Sequence, residues 1–494
     1  MALSYSSCQN IYRKLTTKAA RLLSHKNYLQ SLHYIKCAAR WAYELNFLYA
    51  DRDLERILID ITDESITKVN ITSPSPDRFV LLETHGMDNR GLTQQYIRAF
   101  ISMGVEFLYI SIDCKRNKCT DILNELQEYK KATVVLYDSS IDEIEKTKQI
   151  ISKIEGYKPS KLFLHIMPWD TTSLMVAHSL QGVTKYNINL TDHAFWLGVS
   201  ILDYNIEFRA YGKTVSIEKR GLKKSQLLCL PYYPVLSKDS VDFLGFPKEV
   251  EGKTILFTGG AYYKMFGQDG KFFTIIDQLL DQNNDSVVLV AGDGDRNTMD
   301  KLLSKLRNRN RVYLIGNRCD INEVFKACDI YIDTYPISGG LMAQYASLNS
   351  KPILAYSDFT TFSSDQHNML KVMGNAVCGY NNIDDFLSYS KKLLYDLKYR
   401  SSEGIKNMNL VPSVEDFNDT FRKIVKTHEN KYTWDRLSID YDTMSSVYLN
   451  VENNTGSASI GLLKNLKYRV FVDCYEHLFH FIKFFSIKVL SKFK

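Results

Sequence analysis

Apolar and polar positions along the chain change period three times, and each change marks a boundary. Over residues 1–70 the apolar positions recur at three- and four-residue steps, as in Leu29, Leu32, Ile35, Ala38 and Ala39, which predicts amphipathic helices. Small Ala positions among Tyr and Trp point to a helical hairpin. One hairpin is not a repeat array, so it reads as a helical cap on the domain that follows. The segment "NITSPSPDR" (70–78), with two prolines and several hydroxyls, then breaks the pattern.

From residue 76 the pattern becomes strand, glycine-bearing loop, helix, strand: "FVLLET", "HGMDNRGLT", "QQYIRAFISMG", "VEFLYISID". Further apolar runs follow in "ATVVLYD", "KLFLHIM" and "KYNINLTDHAFWL". This first domain spans 76–236 and closes at "LLCLPYYPVLSKDS", where Pro231 and Pro234 mark a linker. The alternation restarts at "KTILFTGG" and runs through "SVVLVAGDGD", "RVYLIGN" and "DIYIDTYPISGG" to "KPILAYS", giving a second domain over 250–400. The expected fold class is therefore α/β: two tandem Rossmann-like, doubly wound parallel sheets, with an N-terminal helical extension (1–70) and C-terminal amphipathic helices (401–494). Two such domains imply a cleft between them, and ligands of open sheets bind outside the carboxyl ends of the strands.

Composition narrows the class. The 494 residues are 45% apolar and 24% charged, as expected of a soluble globular protein. A net charge of +6 is too small to imply nucleic acid. Nine scattered cysteines lack CxxC spacing, which reads as reduced, mostly buried thiols in a cytoplasmic protein. The N-terminus has no secretory pattern, and no run approaches the ~18 apolar residues needed to cross a bilayer. The closing segment 461–494 intersperses Phe, Leu, Ile and Val with Lys464, Lys467, Arg469, Lys483, Lys488, Lys492 and Lys494. Such a segment fits an anionic bilayer at the inner membrane surface; its competitor is a helix packed on the protein with a solvated charged face.

Glycines stand at the ends of the second domain's strands: Gly259 and Gly260, Gly292 and Gly294, Gly316, and Gly339 and Gly340. Helix N-termini offer unpaired N–H groups, and glycine removes the β-carbon that would keep a pyrophosphate away. The lysines Lys264 and Lys271 follow the first pair, and Arg318 follows Gly316, so cations accompany the loops that would hold a nucleoside diphosphate. Asp293 and Asp295 in "GDGDR" read as turn formers and caps, with no metal expected.

The tandem layout and the segment "ACDIYIDTYPISGGLMAQYASLNSKPIL" (327–354) resemble glycosyltransferases of the GT-B fold, group 1 or family 4-like, over roughly residues 76–400. "DTYPISGG" is also similar, distantly, to the branch of O-GlcNAc transferase. The resemblance implies a nucleotide-sugar in the second domain, contacted by a stretch ending Ala–x–x–x–Gly–x–Pro. Ala346 and Pro352 match it, whereas Tyr345 replaces the usual glutamate and Ser350 the glycine, which leaves the ribose either to a hydrogen bond from Gln344 or to a different mode of holding base and ribose. It implies transfer of a sugar to an acceptor hydroxyl. Membrane contact through the C-terminal segment adds a glycan or lipid-linked acceptor, as in bacterial surface polysaccharide or glycoconjugate synthesis. The cations and helix N-termini, with no DxD pair where a metal-dependent sugar transferase would want one, lead to the expectation of no cofactor or metal. In the first domain, His85, Asp88 and Gly91 occupy the loop after the first strand, and Asp192, His193 and Trp196 follow a later one. His85, Asp88 or His193 would serve in catalysis, while Gly91, Asp192 and Trp196 would contact the acceptor. A sugar-nucleotide epimerase of the same fold and an inactive partner-binding protein are the alternatives.

Overall fold

The computed structural model describes residues 2–88, 92–138, 140–236, 241–267, 270–356, 379–477 and 479–483. The chain divides into two compact units, one of Met1–Tyr232, Val414–Arg436 and Gly456–Lys494, the other of Tyr233–Ser413 and Leu437–Thr455.

The first unit opens with α1 (Tyr5–Ser24), α2 (Tyr28–Leu45) and α3 (Arg52–Ser65). Buried Leu32, Ile35, Ala38, Ala39, Ala42 and Leu45 form the apolar stripe of α2, and the Trp41 indole donates to the Cys8 carbonyl at 3.0 Å, tying α2 to α1. There follow β1 (Val69–Asn70), β2 (Ser75–Glu83), α4 (Thr93–Met103), β3 (Glu106–Ser111), α5 (Thr120–Glu128), β4 (Ala132–Leu136), α6 (Glu143–Tyr157) and β5 (Pro159–His165). Next come α7 (Thr171–Ser179), β6 (Leu180–Gln181), β7 (Thr184–Ile188), β8 (Tyr204–Glu207), α8 (Ala210–Glu218) and β9 (Leu227–Cys229). Seven of these strands form one parallel sheet in the order β4-β3-β2-β5-β7-β8-β9, while β1 and β6 pair separately. The unbroken apolar run Phe79–Leu82 of β2 is buried throughout, as a central parallel strand covered on both faces requires.

The second unit contains β10 (Thr254–Gly259), α9 (Lys271–Gln282), β11 (Ser286–Ala291), α10 (Arg296–Leu303), β12 (Val312–Gly316), α11 (Ile321–Ala327), β13 (Ile330–Ile332) and α12 (Gly340–Leu348). It continues with β14 (Ile353–Tyr356), β15 (Gly379–Tyr380), α13 (Ile383–Tyr395) and α14 (Leu397–Met408). Its parallel sheet runs β12-β11-β10-β13-β14-β15. Phe272, Ile276 and Leu280 cover one face with Leu256 and Val288, and Val324, Phe325 and Ala346 cover the other with Phe257 and Leu289. Strand order reverses between β10 and β13, which is where open sheets of this kind bind ligands at the carboxyl edge.

The C-terminal helices do not form a block of their own. Helix α15 (Val414–Thr427) returns to the first unit, where Phe417 and Phe421 pack on Tyr96 of α4 at ring distances of 5.5 and 5.4 Å. Helix α16 (Tyr441–Thr455) belongs to the second unit, and α17 (Ser457–Leu466) and α18 (Arg469–Asp473) to the first. The N-terminal helices likewise share the core of the first unit instead of standing apart from it.

Candidate functional site

At the switch point of the second sheet, the loop after β10 and the start of α12 meet. A β-carbon on Gly259 would lie 3.0 Å from Met342 Cε, and one on Gly260 would face Lys264 Cδ at 3.7 Å and Thr334 Cγ2 at 4.0 Å. Lys264 Nζ donates to the Ser338 carbonyl at 3.2 Å, which sets its ammonium beside Gly339 and Gly340. The loop after β11 closes the other side: Gly292 has φ +134°, and a β-carbon there would fall 1.9 Å from the Gly260 carbonyl oxygen. Only glycine permits that approach.

The α12 N-terminus itself is partly satisfied from within. Asp333, at the carboxyl end of β13, accepts from the Gly339 N–H at 2.9 Å and from the Tyr331 hydroxyl at 3.1 Å. The first-turn N–H groups of Gly340, Leu341 and Met342 have no acceptor among the described residues, as helix geometry dictates. Gly259, Gly260, Lys264, Gly339 and Gly340 are thus brought together at the switch point. Lys271 stands at the start of α9, its Nζ 5.0 Å from the centre of the Tyr356 ring and 5.9 Å from that of Tyr335.

Arg318 is placed differently. Its guanidinium is bidentate to Asp320 (2.7 and 2.5 Å), donates to the Gly245 carbonyl at 2.9 Å and lies over the Phe243 and Phe246 rings. Asp320 in turn accepts from the Leu244 N–H at 2.9 Å. This pair staples the incoming linker to the loop after β12, so the charge expected to meet a diphosphate is spent on structure. Gln344 is buried in α12, and Tyr345, where the resembling enzymes carry glutamate, donates to the Val235 carbonyl at 2.6 Å. Asp295 caps α10 by accepting from the Thr298 N–H at 3.1 Å, and Asp293 accepts from the Gly294 N–H.

In the first unit, His85 follows β2 and is half-buried, with an Nδ1 that has no hydrogen-bond partner among the described residues. Beneath its loop lies a buried polar network that the sequence reading missed. Glu83 accepts from Tyr109 Oη at 2.6 Å and from Thr93, and pairs with His165 Nδ1 at 2.7 Å. Gly86 packs against this network: its β-carbon would lie 2.9 Å from Tyr109 Oη. Asp88 is held by α5, accepting from the N–H groups of Asp121 and Ile122 at 3.0 Å each. It supplies the N-terminal cap that Cys119 lacks. Gly91 lies outside the described residues.

Asp192 is buried and clamped by Arg209, with Nη2 to Oδ1 at 2.7 Å and Nε to Oδ2 at 2.5 Å. Burial alone would raise its carboxyl, but the Arg209 guanidinium outweighs that and, with His193, holds it well below the usual carboxylate range. His193 Nδ1 stands 3.5 Å from Asp192 Oδ1 and remains a third exposed. Trp196 is packed with Val199, Leu202, Leu222 and Leu227, with Arg220 over its ring at 5.2 Å. The ring expected to offer a face to a sugar is therefore core.

The same unit holds a cavity of about 730 Å³ at the carboxyl ends of β2 and β3. Thr84, Asp113 and the α6 and α7 N-terminal residues Glu143 and Asp170 line its floor, Trp169 its wall, and His33 and Lys36 of α2 with Lys467 and Arg469 its roof. Thr84, which lines the cavity, precedes His85 in the chain, and Tyr43 stands between Trp169 (ring distance 5.3 Å) and His193 (6.3 Å), although neither histidine lines the cavity itself. The sequence did carry one signal: Gln30, His33 and Lys36 recur at three-residue steps on a helix whose other face is buried. Among the described residues no group of three or more His, Cys, Asp or Glu could hold a metal ion.

No protein-family profile and no curated protein matches the chain. Solved structures do. A mutant of the O-GlcNAc transferase from Thermobaculum terrenum superposes with a TM-score of 0.53 at 14% identity, covering 87% of this chain and 82% of that one. Anabaena HepE, in complex with UDP and glucose, gives 0.51 at 12% identity over 71% of this chain and 99% of its own. Staphylococcus aureus TarM, in complex with UDP and glycan ligands, gives 0.50 at 9% over 71% and 100%. The chain has the fold of these enzymes, the GT-B fold expected from its two Rossmann-like sheets.

Proposed function

We propose that the protein is a glycosyltransferase that takes its sugar from a nucleoside diphosphate sugar held by the second unit. One observation carries this reading: the free N–H groups of Gly340, Leu341 and Met342 converge with Lys264 and the Gly260 loop at the switch point of a parallel sheet. As the bond from the anomeric carbon to the diphosphate breaks, negative charge grows on the leaving oxygen. A helix N-terminus and a fixed ammonium stabilise that charge without calling on a metal ion. HepE and TarM, which share the fold, were solved with UDP, which makes UDP the first nucleotide to try.

The acceptor hydroxyl belongs to the first unit in this reading. His85 is the group that takes its proton, because both Asp88 oxygens are already engaged with backbone N–H groups of α5. The mixed-charge cavity beside it suits a polar, glycan-like acceptor. A stripe of exposed Tyr468, Val472, Tyr475, Phe479 and Ile482, with Lys464, Lys467, Arg469 and Lys483 around it, suits an acceptor carried on a lipid of the inner membrane surface. Among the described residues no helix is long and apolar enough to cross a membrane.

The reading is tested by a thermal-shift screen against UDP, GDP, CDP and CMP, followed by assay of nucleotide release from the corresponding sugar donors. A shift with one diphosphate, lost in Gly340→Val, and release of that diphosphate from its sugar are expected. A shift unchanged in Gly340→Val would overturn the phosphate placement. Binding with no release from any sugar donor, with and without acceptor lipid extract, would overturn the transferase.

A further inference from the structure

The loop after β3 carries two thiols that the proposed transfer reaction does not use. Cys114 Sγ and Cys119 Sγ lie 3.4 Å apart across a single turn of 3-10 helix, Arg116–Lys118. Neighbouring backbone fixes both ends. The Cys114 N–H donates to the Tyr137 carbonyl at 3.1 Å, and Cys119 heads α5 with its thiol directed at the Lys115 and Arg116 carbonyls at 3.5 and 3.8 Å. We propose that Cys114 and Cys119 form a reversible intramolecular disulfide, making this turn a modification site for low-molecular-weight disulfides such as oxidised glutathione.

The two thiols have unequal surroundings, and these assign their roles. Cys114 is half-buried and reachable, and is followed by the exposed cations Lys115, Arg116 and Lys118, which attract the anionic glutathione. Cys119 is buried, and burial, followed by its contact with Cys114, pushes its thiol up to about 12, so it stays protonated. Cys114 thiolate therefore attacks oxidised glutathione, forming a Cys114–glutathione disulfide and releasing one glutathione thiolate. Cys119 then gives up its proton and attacks the Cys114 sulfur, closing the internal disulfide and expelling the second glutathione. Two protein thiols are oxidised and one glutathione disulfide is reduced to two thiols, so the electrons balance. The turn matters to the proposed site because the Asp88 N–H donates to the Lys118 carbonyl at 2.8 Å while its carboxylate caps α5, so the His85 loop is bonded to the segment that closes.

The native, full-length protein supplies its own control. Cys319 is exposed and has no thiol contact among the described residues, so with the same oxidant it stops at the mixed disulfide. Native protein is incubated with oxidised glutathione, remaining thiols are alkylated, and non-reduced tryptic peptides are mapped by mass spectrometry. Trypsin cuts after Lys115 and Lys118, so a closed disulfide appears as a linked pair of the peptides bearing Cys114 and Cys119. That linked pair is expected, together with its disappearance on adding reduced glutathione, and Cys119→Ser is expected to leave Cys114 glutathionylated as Cys319 is. Cys114 retained as a mixed disulfide in the unsubstituted protein, or alkylated like the buried thiols, would overturn the proposal.

Discussion

Glu55 of α3 accepts from the N–H of Gly198 at 2.7 Å, although 143 residues separate them, and the same carboxylate takes the N–H groups of Val199 and Ser200 at 2.9 Å each. A fully buried carboxylate gripping three successive backbone donors fixes the helical extension to the loop between β7 and β8. Glu55→Ala leaves those donors buried and unpaired, which costs about 3 kcal/mol or more. Urea denaturation reads the loss directly. A chain lacking residues 1–68 is likewise expected to aggregate, since the extension completes the first unit's core.

The Gly260–Gly292 approach makes a sharper demand on the second unit. Gly292→Ala places a methyl group within 1.9 Å of the Gly260 carbonyl oxygen, at a φ of +134° that L residues avoid. The loop after β10 must move, taking Lys264 with it. The expected result is a weakened UDP thermal shift together with a stability loss of roughly 1–3 kcal/mol. Gly156→Ala serves as the comparison, because it lies in α6 of the other unit with helical backbone and its β-carbon meets nothing within 4 Å.

Part of this arrangement was legible in the residues, because strand–glycine–helix periodicity fixes both parallel sheets and the strand ends. "TILFTG" and "IYI" announce their strands by unbroken apolar runs, and the glycines after them could be placed at the carboxyl edge. What escaped were pairings that span many residues. Nothing near Arg318 in sequence says that the Gly245 carbonyl, 73 residues away, accepts from it. Trp196 looked like a sugar platform because an aromatic after a strand is ambiguous until Val199, Leu202 and Leu222 are seen around it. The Glu83–His165 pair was invisible for the same reason: its members end different strands, β2 and β5, which only the sheet order makes neighbours. The C-terminal helices alternate between units, and helical periodicity carries no information on which sheet a helix joins.

Lys264 and Arg318, both cations of the second unit, are expected to separate cleanly by substitution. Lys264→Met removes the ammonium beside the α12 N-terminus and lowers UDP affinity by roughly ten- to a hundredfold, the worth of one charge-assisted hydrogen bond. Its melting temperature stays near that of the unsubstituted protein. Arg318→Met strands the buried Asp320 carboxylate and costs about 3 kcal/mol of stability. Its UDP affinity, measured by titration calorimetry well below its melting temperature, is expected within about twofold of the original.

The stripe Tyr468, Val472, Tyr475, Phe479 and Ile482 keeps three- and four-residue spacing yet is exposed, while Val470, Cys474 and Phe481 between them are buried. The acidic residues here are already paired, Asp473 with Lys18 at 3.7 Å and Glu476 with Lys14 at 3.2 Å, which leaves the local surface basic. Co-sedimentation with vesicles containing phosphatidylglycerol is expected, falling with added salt, and pure phosphatidylcholine vesicles are expected to leave the protein in the supernatant. Tyr468→Ser combined with Phe479→Ser removes two largely exposed rings and should abolish binding without altering the melting temperature. Equal sedimentation of the double variant would exclude this stripe as the contact.

Glu207 sets a pH dependence that belongs to the fold alone. At the end of β8 it is fully buried, accepting from Asn205 Nδ2 at 2.6 Å, Asn189 Nδ2 at 2.9 Å and Ser216 Oγ at 2.5 Å. Burial pushes its carboxyl from 4.5 up to about 7, against the opposing pull of Arg220 and these hydrogen bonds. Between those two values the native protein keeps a proton that the unfolded chain has released. The native state therefore binds more protons, and stability falls as pH rises from 4.5 to about 7. The contribution is full below 4.5 and lost above 7, a span of roughly 3 kcal/mol at most. Glu207→Gln keeps the shape and removes the titration, so the difference in unfolding free energy between the two proteins isolates this group from every other one. Relative to the glutamine variant, the unsubstituted protein is expected to become steadily less stable across the window in urea titrations at half-unit steps of pH. A difference that stays flat from pH 4.5 to 7 would mean that Glu207 is ionised throughout, held by Arg220 as a buried ion pair.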